Sequence, residues 1–129
     1  MPWTSAVLSA AVRQMAAARG DNVQAQQHLQ RAMRLAPTDE KIRNDLGVVY
    51  LNQGKLEQAR FEFLTAIELK DSDRLAAVNL VTLLLYQDKW QQAADLVSRL
   101  GLSAAQFNEA QARAQQLKPG SVAAVQRSS

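Results

Sequence analysis

Residues 45–69 read DLGVVYLNQGKLEQARFEFLTAIEL, and the spacing within this stretch decides the fold. Leu46, Gly47 and Tyr50 fall three and four residues apart, as they would on one face of a helix. Gly54 then marks a turn, and Ala59, Phe63 and Ala66 resume the helical spacing beyond it. Two antiparallel helices approach closely only where one of them presents Gly or Ala, and large residues then fill the flanking space. Gly47, Ala59 and Ala66 are the small residues of this stretch that could stand at such an approach, and Tyr50 and Phe63 are the large ones beside them.

Working outward, Ala25, Ala59 and Ala93 stand 34 residues apart, and the copies around them are in phase. The middle copy, residues 40–73, is the clearest and closely resembles the tetratricopeptide repeat family at Leu46, Gly47, Tyr50, Gly54, Ala59, Phe63 and Ala66. It departs from that pattern at Arg43, where the family carries a Trp, and at Asp71, where it carries a Pro. The first copy, residues 6–39, keeps Gly20, Ala25, Leu29, Ala32, Leu35 and Pro37. Its first helix is poor, with Val12, Arg13 and Ala16 at the expected Leu, Gly and Tyr positions. Terminal repeats of a solenoid are often atypical because one face meets water.

The third copy, residues 74–102, keeps Asn79, Leu80, Trp90 and Ala93, with Asp88 at the turn position. Gly101-Leu102-Ser103 ends it. Ser103 with Gln106 then reads as a capping box opening one more helix, 103–117. Phe107, Ala110, Ala114 and Leu117 mark the inward face of that helix, and Asn108, Glu109, Arg113 and Gln116 are expected to point away. Lys118-Pro119-Gly120 stops it, and residues 118–129 are expected to form a flexible tail. The resemblance thus implies an all-α domain over residues 6–117, a right-handed superhelical solenoid of three repeats and a capping helix, about seven helices in all.

Composition agrees with that class. Ala, Gln and Leu recur, and no run of Val, Ile or Thr bounded by turn residues suggests a sheet. The chain has no cysteine, which removes disulfides and thiolate chemistry. The formal charge of +3 is spread among interleaved acids and bases, which argues against a nucleic-acid partner. No apolar run reaches the roughly 20 residues of a membrane span, so direct membrane insertion by these residues is not expected. The first five residues carry no signal-peptide pattern. As it stands the sequence reads as cytoplasmic, and as periplasmic or envelope-associated if a leader was removed.

Catalysis is not expected. The lone His28 has Gln24, Arg31 and Ala32 beside it in helical register, none of them a carboxylate that could orient it. Glu57, Glu62 and Glu68 read as solvated helix-surface residues, and no ligand cluster suggests a metal or another cofactor.

The resemblance implies a concave groove lined by the first helix of each repeat, taking a protein or peptide partner. Its equivalent positions here include Gln14 in the first repeat and Lys41, Asn44, Val48, Leu51 and Asn52 in the second. In the third they are Leu75, Val78, Thr82, Leu85 and Tyr86. Val48, Leu51, Leu75, Val78, Leu85 and Tyr86 would form an apolar floor, with Asn44 and Asn52 bonding a partner's backbone. The Lys/Arg pair with which some members grip a terminal carboxylate is missing from the third repeat, where Leu75 and Val78 stand. The competing expectation is that several of these side chains are core and that the last helix folds against the groove. An adaptor or assembly factor is the leading function. The segment AADLVSRLGLSAAQ, residues 93–106, is similar to tetratricopeptide proteins of bacterial tight-adherence (Flp) pilus assembly, which would imply a leader and a lipid anchor. A self-associating homodimer is the other alternative.

Overall fold

A computed structural model describes residues 22–70 and 74–118. Among them are six helices and no strand: α1 (Asn22–Leu35), α2 (Glu40–Asn52), α3 (Leu56–Leu69), α4 (Arg74–Tyr86), α5 (Trp90–Leu100) and α6 (Ala104–Leu117). The protein is all-α, with the helical-solenoid order expected of it. Helix α1 is the second helix of the first repeat, α2–α3 and α4–α5 are the next two pairs, and α6 caps the array. The first helix expected in residues 6–39, with Gln14, and the expected tail 118–129 lie outside the described residues, apart from Lys118, which pairs with Asp88 at 2.8 Å.

The period is written into the backbone as well as the side chains. In the α2–α3 turn, Gly54 N–H donates to Leu51 O at 3.0 Å and Lys55 N–H to Tyr50 O at 2.9 Å. In the α4–α5 turn, Asp88 N–H donates to Leu85 O at 3.0 Å and Lys89 N–H to Leu84 O at 2.9 Å. Each bond is the other moved along by one repeat. The pivots share a left-handed backbone, Gly54 at φ 75° and Asp88 at φ 59°. Asp is among the few L-residues that tolerate this region, which is how the third repeat makes the same turn without glycine.

Helix ends are set locally. Asp39 caps α2, its carboxylate accepting from Lys41 N–H at 2.9 Å and Ile42 N–H at 3.3 Å. Helix α5 closes on Gly101 at φ 66°, with Leu102 N–H reaching Val97 O at 3.0 Å in a Schellman arrangement. The buried Leu102 then leads into Ser103, and the expected capping box is present, with Gln106 N–H donating to Ser103 Oγ and Ser103 N–H to Gln106 Oε1.

Two apolar clusters share α4. One joins Leu29, Leu46, Tyr50 and Phe63 to Leu80 and Leu83; the other joins Val81, Leu85, Ala93 and Leu102 to Ala110 and Ala114. Helix α4 packs against α2, α3, α5 and α6, and every residue from Ala76 to Leu85 is buried. Its sequence, AAVNLVTLLL over that span, is apolar on nearly all sides, as a helix surrounded by others must be. Phe63 is completely buried with its ring on Gly47, where an added Cβ would lie 2.5 Å from a ring carbon. That contact is the close approach expected of Gly47.

Two expectations need correction. Glu62 is not a solvated surface carboxylate. It is 6% exposed and accepts from Arg43 Nη1 at 3.1 Å, while Arg43 Nε donates to Pro37 O at 3.0 Å. Arg43 stands where the family's Trp would, so a charged pair between α2 and α3 occupies the place of an aromatic filler. Arg113 does not point away from the molecule either, because its guanidinium donates to Asn79 of α4.

Candidate functional site

The first helices of successive repeats lie side by side, so α2 packs on α4 and α4 on α6. Across them runs a polar row. Asn79 Nδ2 donates to Asn44 Oδ1 at 2.8 Å, and Arg113 Nη1 donates to Asn79 Oδ1 at 3.1 Å. Both asparagines are 2% exposed, so each amide needs an internal partner. The row connects α2, α4 and α6 at one level, and Arg113 ends it as a half-buried cation. Period alignment hid this contact, because Asn44 and Asn79 are 35 residues apart, one more than the repeat.

The other residues expected to line a groove divide by exposure. Lys41 and Leu75 are exposed, and Val48, Asn52 and Tyr86 are half-buried. Asn44, Leu51, Val78, Thr82 and Leu85 are buried. Val78 and Leu85 share their cluster with Ala110 and Ala114 of α6, so the capping helix covers them. Thr82 returns its hydroxyl proton to Val78 O within its own helix at 2.8 Å. The structure therefore brings Asn44 and Val78 onto adjoining helices, and of the expected positions it describes, only Lys41, Val48, Asn52, Leu75 and Tyr86 are open to solvent, fully or in part. Sequence periodicity assigns a side chain to a face, but whether a later helix covers that face depends on the third dimension.

Elsewhere, His28 is exposed on α1. Among the described residues no group of three or more His, Cys, Asp or Glu is placed to hold a metal ion, and no helix is long and apolar enough to cross a membrane. Lys55 Nζ donates to Gln26 Oε1 at 3.3 Å and Gln30 Nε2 to Tyr50 Oη at 3.0 Å, tying the first repeat's second helix to the next pair.

A model of the tetratricopeptide repeat family matches residues 16–78. The chain is also 44% identical, over 100 residues, to the TPR repeat-containing protein PA4299 of Pseudomonas aeruginosa. That match takes in 78% of this chain but 41% of the relative, so the chain spans less than half of the relative's length. Repeats of this kind suggest a protein–protein interaction module, and their fold is generally a non-catalytic scaffold. The matched residues carry the Gly47–Phe63 packing contact and the Gly54 turn, and the relative is named for the same repeat, so residues 16–78 of this chain are tetratricopeptide-repeat-like.

Proposed function

We propose that the chain acts as an adaptor or assembly factor that takes a peptide or helix of another protein along the face of its first helices. The observation that favours this face is the row Asn44–Asn79–Arg113, because it ends in a cation with donors to spare at a partly open position. Lys41, Val48, Asn52, Leu75 and Tyr86 would make the direct contacts, and the buried Asn44, Leu51, Val78, Thr82 and Leu85 would shape the wall behind them. Gln14 would extend the strip on the first repeat.

The test pairs Val48→Glu with Leu75→Glu, two accessible positions, and compares partner recovery from the source cells with that of the unaltered chain. Recovery should fall about tenfold or more while helicity is kept, since a buried carboxylate in an interface is strongly disfavoured. Unchanged recovery would remove the groove reading.

Within this class, assembly of a tight-adherence pilus is supported by the resemblance of residues 93–106, which form the joint between α5 and the capping helix. Loss of pili on deletion of the gene, restored by the intact protein, would test it. Self-association is the remaining alternative, and light scattering across a dilution series separates a dimer from a monomeric adaptor.

A further inference from the structure

The second helices form a face of their own, and a cleft of about 280 Å³ opens there between α3 and α5. Its floor is Leu80 and Leu84 of α4, seen between the two outer helices. Leu64 and Leu96 form its walls, and Arg60, Gln92, Asp95 and Arg99 its rim. The floor leucines are buried at 3% and 7% exposure, but Leu64 is 38% exposed and Phe61 beside it 61%.

The rim is electrically unbalanced. Asp95 accepts from Gln91 Nε2 at 3.1 Å on its own helix. Neither Arg60 nor Arg99 has a hydrogen bond or ion pair with another described residue. The rim thus carries two guanidinium groups and one carboxylate around an apolar floor, Arg60 on α3 and Asp95 and Arg99 on α5. Arginine at the edge of a desolvated pocket is a common anchor for a partner's carboxylates, through paired N–H donors.

Size selects the class of occupant. Pockets for small molecules usually run to about 300–1,000 Å³ and enclose most of the ligand, whereas this cleft is smaller and open. A space of about 150 Å³ holds a benzene ring, so the cleft suits two or three side chains from a longer segment. We propose that the α3–α5 cleft docks an acidic amphipathic helix of a partner protein, its aliphatic side chains seated on Leu64, Leu80, Leu84 and Leu96 and its carboxylates on Arg60 and Arg99. This site is on the opposite helices from the groove and does not depend on it.

The test is a library of random peptides of about sixteen residues, roughly four helical turns, selected against the full chain. The selected peptides are then titrated by fluorescence anisotropy. They should carry aliphatic residues at helical spacing flanked by Asp or Glu. Their Kd should rise about tenfold or more on Arg60→Glu with Arg99→Glu, the scale of one lost charge-assisted contact. Peptides with the acids changed to Lys should bind that double variant better than the unaltered chain. Arg60→Gln with Arg99→Gln serves if charge reversal disturbs folding, and should weaken binding in the same direction. Val48→Glu with Leu75→Glu, in the groove, should leave these Kd values unchanged. A library that yields no binder, selected peptides without acidic enrichment, or binding lost only with the groove variant would overturn the proposal.

Discussion

Gly47 and Phe63 show how a single residue pair determines the distance between two helices. The ring of Phe63 occupies the space in which any Cβ at Gly47 would stand, so α2 and α3 could not remain this close with a larger residue there. Gly47→Leu is expected to cost about 1–3 kcal/mol by overpacking. A thermal melt should move down by several degrees, and an unchanged midpoint would refute the contact. The pair was readable from sequence because small and large residues alternate at helical spacing. Arg43 and Glu62 were not readable, since either alone looks like a surface charge and only packing of α2 on α3 brings them to 3.1 Å. Their side chains are 17% and 8% exposed, so breaking the pair leaves a poorly solvated charge. Arg43→Met should destabilise by about 3 kcal/mol, and adding Glu62→Leu should recover much of that loss, because an apolar pair of similar volume is often no worse than a buried ion pair. Chemical denaturation of the two single variants and the double closes that cycle.

Among elements, the turns and caps were the most legible from the sequence. A left-handed turn needs Gly or a tolerant polar residue, and Gly54, Asp88 and Gly101 stand where the chain reverses or a helix closes. The capping box at Ser103 and Gln106 likewise depends on residues three apart, so neighbours along the chain suffice to predict it. Ser103→Ala should cost about 1 kcal/mol, seen as a lower melting temperature and faster amide exchange in the first turn of α6. If exchange there is unaltered, the cap does not hold the start of α6. Helix α4 was less legible. Its apolar sides include Val78, Thr82 and Leu85, which the resemblance assigns to a groove lining or to the core; all three are buried, and Val78 and Leu85 share a cluster with Ala110 and Ala114 of α6.

For the molecule as a whole, α6 does more than present a polar surface to water. It completes the second apolar cluster with Ala110 and Ala114 and ends the asparagine row with Arg113. A chain ending at Gly101 should expose Val78, Val81 and Leu85 and leave the Asn79 carbonyl without its cation. We expect it to bind a hydrophobic dye strongly and to lose its cooperative melt, as a repeat array does without a terminal cap. A sharp melt at the original temperature would show that α6 is dispensable. The sequence alone determined the all-α class, the 34-residue phase, the turn positions and the likeness to tetratricopeptide repeats, because these depend on spacing along the chain and on conformations only a few residues adopt. Tertiary structure alone decided which groove positions remain accessible, where Glu62 finds its partner, and that Arg113 turns inward to Asn79. Those outcomes depend on which helix covers which face, and burial is a property of the neighbours in space, not of the residue or its period.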